Sequence, residues 1–325
     1  MSKQHKALII SVVFTFLILF FIFNFISFAQ VLDAVRSMPL RFVVFAFLFH
    51  LTAYVWRAFV LYLFLKEQNL SFFYILNIHF IQNFYVHVVP AGLGELSFPI
   101  LLRKKIKVEQ SLSALLITKL TIMVLLILLF VVSFFVLFGF AAVAKFKLKF
   151  MHAGVPALFI LLSVFLLKCF KRTKWNENRF LKKLIDKVIF FRETIKQQIV
   201  RLKDFRFCCT VVGLSILSIA GLMLFYYTIL KGLAVEFGIF EIIFVSSIGM
   251  VFLILPVKSI GGFGTSEGAW AIGMMLLGYP QEFSIKAGFV VHIYALLNVC
   301  LLLVLGLIFK FIVEKKRSGS EVNCR

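Results

Sequence analysis

Two stretches decide how this sequence folds: Pro90-Ala91-Gly92-Leu93-Gly94-Glu95 and Pro256-Val257-Lys258-Ser259-Ile260-Gly261-Gly262-Phe263-Gly264-Thr265-Ser266-Glu267. Each lies inside an apolar run, 70–102 and 240–281, that is too long for one helix and is broken in its middle by proline and glycine. Proline removes a backbone donor, and glycine reaches backbone angles closed to other residues. Backbone that leaves the helix at membrane depth is tolerated only inside protein or against a water-filled cavity. Both runs are therefore read as broken hairpins that dip into a bilayer and return.

The rest of the chain supplies that bilayer context. Of 325 residues 62% are hydrophobic and only 15% charged, against roughly 45–50% and about 25% in a soluble domain. Mean hydropathy is +1.05. This excludes a soluble enzyme, a disulfide scaffold and a disordered tail, and predicts an all-α polytopic membrane protein. A spanning helix needs about 20 apolar residues, and six segments qualify: 7–29, 42–65, 111–140, 150–168, 208–230 and 287–309. The first is too long for the apolar core of a signal peptide. Five cysteines without a Cys-x-x-Cys pair read as reduced packing residues.

The net charge of +21 does not point to nucleic acid. The basic residues fall mostly in short connections between apolar runs, the positive-inside pattern. Segment 171–206 holds 12 Lys and Arg, and further clusters are Arg103, Lys104, Lys105 and Lys107, and Lys315, Lys316 and Arg317. All three groups share the cytoplasmic side if 70–102 enters and leaves by that face and 240–281 by the outer one. Both termini are then cytoplasmic, segments 30–40 and 141–149 are external connections, and 25 of the 35 basic residues lie inside. The outer exceptions are Arg36, Arg41, Lys145, Lys147, Lys149, Lys231 and Lys286. Within 179–205, Leu181, Leu184, Val188, Phe191, Ile195, Ile199 and Leu202 recur at helical spacing. The pattern predicts an amphipathic helix on the cytoplasmic interface, with Lys182, Lys183 and Lys187 facing anionic lipid heads.

The two hairpins also resemble each other. Both contain Gly-x-x-Glu, at Gly92…Glu95 and Gly264…Glu267. Fourteen residues after Glu95 begins Glu109-Gln-Ser-Leu-Ser-Ala114, and fifteen after Glu267 begins Glu282-Phe-Ser-Ile-Lys-Ala287. Five residues past each alanine a polar side chain enters the following apolar helix, Lys119 in one case and His292 in the other. Three matches in one order, with hairpins entering from opposite faces, predict two inverted repeats, 1–145 and 150–312, followed by a tail at 313–325. Paired broken helices in inverted repeats are the architecture of alternating-access transporters.

This organisation nominates the site. A chain restarting as a helix after each glycine turn presents unpaired N–H groups and a partly positive end, suited to phosphate or carboxylate. Arg57, Lys119 and Lys258 add full charge at membrane depth. Glu95 and Glu267 are carboxylates inside the apolar zone, candidates by default. They read as caps and ion-pair partners of the half-helices, as carriers of a proton or ion, or as direct contacts to a headgroup. Arg57 reads as a partner for a hairpin glutamate or as a lining residue. The candidate substrate contacts are Arg57, Pro90, Gly92, Gly94, Glu95, Lys119, Lys258, Gly261, Gly262, Gly264, Glu267 and His292. His79 and His87 lack a third ligand, so neither metal nor cofactor is expected.

The doubled Pro…Gly-x-x-Glu motif followed by Glu-x-Ser-x-x-Ala resembles the lysylphosphatidylglycerol synthase transmembrane, or flippase-like, family over nearly the whole chain. In the multiple peptide resistance factors of that family, this membrane part moves an aminoacylated phospholipid that a separate soluble domain makes. Other relatives handle envelope lipids or polyisoprenoid-linked sugars. With Arg325 close behind the last apolar run, the resemblance implies a translocase module without the synthase, in the bacterial cytoplasmic membrane, moving a phospholipid or polyprenyl-linked intermediate. It leaves homo-oligomerisation open. The longer Pro-to-Glu spacing of the second motif argues against strictly equal roles for the two glutamates. Two other classes compete: a membrane-embedded glycosyltransferase, and a small-solute or ion transporter. Against the enzyme stands the acid inventory, only Asp33, Asp186 and Asp204 with no Asp-x-Asp for a metal.

Overall fold

Helices long enough to cross a bilayer form where hydropathy is highest. The structure, a computed structural model, describes residues 27–89, 93–146, 179–254 and 260–322. Among them are ten α-helices and no strand: α1 (Phe28–Arg36), α2 (Leu40–Leu65), α3 (Phe72–Val88), α4 (Ser97–Leu102), α5 (Val108–Phe146), α6 (Arg179–Arg201), α7 (Phe205–Gly232), α8 (Ile239–Ile254), α9 (Thr265–Leu276) and α10 (Gln281–Val322). Four candidate spans are Leu40–Gln68, Val108–Gly139, Phe205–Gly232 and Gln281–Phe309. They match the expected segments 42–65, 111–140, 208–230 and 287–309. Segment 150–168, and 7–29 up to residue 26, lie outside the described residues.

The spans are 28 to 32 residues long, or about 42–48 Å at 1.5 Å per residue, against about 30 Å of hydrocarbon. They therefore tilt or protrude. Their outward faces are apolar: Val124, Leu128, Val132 and Val136 form one exposed row on α5, and Leu297, Leu301, Val304 and Ile308 another on α10. A water-facing surface would carry polar residues there, so these rows face lipid.

Segment 30–40, read above as a connection, is largely helical. Ser27 and Gln30 form a reciprocal capping box that starts α1: the Ser27 N–H reaches Gln30 Oε1 at 2.8 Å, and the Gln30 N–H reaches Ser27 Oγ at 3.3 Å. Tyr294 donates its hydroxyl to the Val35 carbonyl at 2.9 Å, tying α1 to α10.

α2 and α7 lie antiparallel and form the longest seam of the molecule. Phe64 meets Phe207 edge-on at 5.5 Å at one end. At mid-length Ser218 donates to the Ala53 carbonyl at 2.9 Å, and Gly232 lies against Met38 and Phe42 at the other end. Lipid tails are as apolar as leucine, so close van der Waals packing holds such seams. Gly221 permits it, since a Cβ there would come within 3.0 Å of the Phe49 carbonyl oxygen.

Basic segments gather at one end of this seam. Arg201 donates to the carbonyls of Leu63 at 3.1 Å and Phe64 at 3.2 Å, closing the C-terminus of α2. Lys107 Nζ lies 4.7 Å from the Phe190 ring centre on α6, and Lys105 Nζ 4.3 Å from that of Tyr74 on α3. At the opposite end Phe237 meets Tyr279 at 5.3 Å, and Gln30 donates to Glu282 at 3.0 Å. Between the ends, α3 packs on α10 and α8 on α5, while α6 lies on α5 and α1 on α10. Phe244 of α8 stacks on Phe130 of α5 at 5.5 Å. Cys208, Cys209 and Cys300 are free thiols.

Candidate functional site

After α8 the chain returns through Ile260–Gly262 and opens α9 at Thr265. Gly261, Gly262 and Gly264 have φ of 67°, 77° and 86°, a region that side chains with a Cβ rarely enter. This tight path aims the Glu267 carboxylate back at its own turn. Glu267 Oε2 accepts the Gly264 N–H at 2.7 Å, and Oε1 lies 2.7 Å from His292 Nδ1 on α10. The His292 ring also lies 4.8 Å from that of Phe263 in the glycine turn. Glu267 is 1% exposed and His292 4%. The carboxylate thus fills the positive end of α9 that the sequence offered to a substrate anion, while His292 fastens the glycine turn to α10.

Glu95 lies in the single turn Leu93–Leu96 ahead of α4. Its carboxylate pairs with Lys119 of α5 and accepts a hydrogen bond from Gln82 Nε2 of α3 at 3.3 Å. Gln82 Oε1 in turn is 2.9 Å from His79 Nδ1. Gly94 presses on the carbonyl of Tyr85, and a Cβ there would also meet Val86 Cα at 2.7 Å, so no larger residue fits. Beside it runs an apolar groove of about 250 Å³ bounded by Tyr85, Val89, Gly94, Ser97, Ile100 and Leu101.

The glutamate of each Gly-x-x-Glu motif therefore meets the basic side chain five residues past the matched alanine. The pairs differ in access: the side chains of Glu95 and Lys119 are 24% and 46% exposed, those of Glu267 and His292 0% and 4%. Arg57 does not join either carboxylate. Its guanidinium carbon sits 5.4 Å from the Tyr54 ring centre on α2, and Tyr54 touches His50 at 4.9 Å and His79 at 5.6 Å. Pro90, Gly92 and Lys258 lie outside the described residues. Lys182, Lys183 and Lys187 fall in the first turns of α6.

Sequence reasoning passed over His50, Tyr54, Gln82 and Asn83. The signal was present as polar residues at helical spacing, 50, 54 and 57 on α2 and 79, 82 and 83 on α3, inside otherwise apolar runs.

A family model described as the lysylphosphatidylglycerol synthase TM region matches residues 8–306. The chain belongs to that family. No curated protein and no solved structure matches it. As a lysylphosphatidylglycerol synthase TM region, with four apolar helices of spanning length among the described residues, it is a membrane protein.

Proposed function

We propose that this protein is a flippase-like translocase, moving a phospholipid or polyprenyl-linked envelope intermediate with an anionic headgroup across the bacterial cytoplasmic membrane. The observation that carries the reading is the pair of matched contacts between a carboxylate and a basic side chain, Glu95–Lys119 accessible and Glu267–His292 sealed. An alternating-access carrier holds one pathway open and its counterpart closed at any moment.

An inverted-repeat construction supports this. The packing of α3 on α10 has its counterpart in α8 on α5, and α1 on α10 in α6 on α5. Asn69 and Ala234 each follow the seam helix of their half and take φ of 53° and 59°, the two non-glycine residues with positive φ among those described. They are 165 positions apart in the chain, as are Ala53 and Ser218, which touch. Contact between equivalent residues is expected where a two-fold pseudo-axis crosses the seam. The meeting of Lys105 with Tyr74, and of Phe237 with Tyr279, supports re-entrant hairpins on opposite faces. The gathering of basic segments at one end supports a cytoplasmic assignment for that end, with both termini there.

In this mechanism Arg57 and Lys119 attract the headgroup, and the accessible Glu95–Lys119 pair parts as it enters. The glycines at 94, 261, 262 and 264 let backbone approach it. Apolar tails stay in the membrane along the groove beside Gly94. Lys182, Lys183 and Lys187 hold α6 to anionic inner-leaflet lipids. The test is reconstitution into liposomes with lipid analogues that an impermeant reductant bleaches. Wild-type protein should make the inner-leaflet fraction reducible. No acceleration for any of anionic, zwitterionic or cationic lipids would overturn the reading.

A further inference from the structure

A second polar cluster lies between α2 and α3, and the two carboxylate pairs do not account for it. It comprises His50, Tyr54 and Arg57 on α2, and His79, Gln82 and Asn83 on α3. All but Arg57 are less than a tenth exposed. Tyr54 is the hub, in contact with His50, His79 and the Arg57 guanidinium. Among the described residues, His50 Nδ1, Arg57 Nε, His79 Nε2 and Asn83 Nδ2 have no hydrogen-bond partner. A buried polar atom left unpaired is costly, so four around one hub mark a place that receives something.

The hydrogen-bond directions define what it receives. Gln82 donates through Nε2 to Glu95, so its Oε1 is the acceptor for His79, and His79 Nδ1 carries the proton. In the neutral imidazole Nε2 is then a bare lone pair that accepts. Arg57 Nε and Asn83 Nδ2 are donors. The cluster thus offers charge-assisted donors beside an acceptor. A phosphodiester takes the donors, and a hydroxyl on the same headgroup gives its proton to His79 Nε2. A cationic headgroup finds no match: Arg57 leaves the cluster positive, and the carboxylate that reaches it through Gln82, Glu95, is held by Lys119.

We propose that His50, Arg57, His79 and Asn83 form a headgroup site for a hydroxylated phosphodiester, of phosphoglycerol or phosphosugar type, that discriminates against cationic aminoacyl headgroups. The proposal rests on the translocase reading and names the substrate class.

Binding is measured by native mass spectrometry of the full chain in detergent. The probes are dioleoylphosphatidylglycerol, dioleoylphosphatidylmethanol (a phosphodiester without a hydroxyl) and lysyl-phosphatidylglycerol, with water-soluble glycerophosphoglycerol to separate a free phosphodiester from a lipid. Phosphatidylglycerol should bind about tenfold more tightly than phosphatidylmethanol, the scale of one good hydrogen bond, and the lysyl lipid most weakly. Arg57→Gln should weaken both anionic lipids alike. His79→Leu should erase the preference between them. Strong binding of glycerophosphoglycerol would assign the site to a soluble ester and overturn the lipid assignment. Equal binding of the three lipids to wild type would mean a merely hydrated cluster and overturn the proposal without any variant. Selective binding without translocation by wild type would defeat the translocase reading alone. Translocation with unselective binding would defeat this proposal alone.

Discussion

Glu267→Ala and Glu95→Ala should differ sharply in cost, although the two glutamates occupy matched positions in the sequence. Glu267 is 1% exposed and its partner His292 4%. Removing one member of a buried pair leaves the other without compensation, at about 3–5 kcal/mol. Glu267 also caps α9 through the Gly264 N–H, and losing a cap adds about 0.5–2 kcal/mol. The expected cost of Glu267→Ala is therefore about 3.5–7 kcal/mol. Glu95 pairs with a Lys119 side chain that is 46% exposed, and exposed pairs contribute about 0–1 kcal/mol. The assay is denaturant unfolding of purified protein in mixed micelles. A double variant, Glu267→Ala with His292→Leu, sharpens it, because removing both partners leaves no orphan. It should be more stable than Glu267→Ala alone. Equal losses at Glu95 and Glu267, or a double variant at the sum of its parts, would refute the claim that burial separates the two pairs.

Glu95→Gln and Glu267→Gln should each slow translocation in liposomes while leaving folded protein; wild-type rates from both would reduce these residues to caps. Arg201→Ala should cost about 1–3 kcal/mol by releasing the Leu63 carbonyl and leaving that of Phe64 to Gln198 Nε2 alone, at 3.3 Å, and Arg201→Lys should recover only part, since an ammonium lacks the fork that spans both carbonyls. Gly94→Ala should lower the yield of monodisperse protein because its Cβ overlaps the Tyr85 carbonyl, whereas Gly213→Ala, with open space around its Cβ, should not. Single cysteines at Ser37 and Arg192, in a background without native cysteines, should label from outside only at Ser37; labelling at Arg192 in intact cells would reverse the proposed orientation.

The spans were legible because 20 or more apolar residues have few other destinations. The matched places of Lys119 and His292 were legible from register, since each lies five residues past the alanine of a repeated motif; their pairing with Glu95 and Glu267 was not, and the sequence offered Arg57 as the partner instead. The difference between the glutamates was not. In Gly264-x-x-Glu267 the glutamate sits in the first turn and its carboxylate accepts the N–H of the N-cap glycine. Gly92-x-x-Glu95 has the same spacing, but Pro99 has no N–H for the Glu95 carbonyl to receive in an α-helix, and a short 3-10 turn precedes α4. The cluster around Tyr54 was hidden because its two halves belong to different helices, and only packing joins them. α1 was missed because its start depends on a local side-chain bond at Ser27 rather than on hydropathy.

The Ala53–Ser218 contact has a consequence for how variants should be sorted. If two halves trade shapes about an axis, atoms lying on that axis keep the same neighbours before and after the trade. A substitution there adds equally to the energy of both forms. Ser218→Ala should thus make the whole molecule easier to unfold while leaving the ratio of its inward-open and outward-open populations where it was. Changes at Glu95 or His292, whose pairs differ in exposure, tilt that ratio.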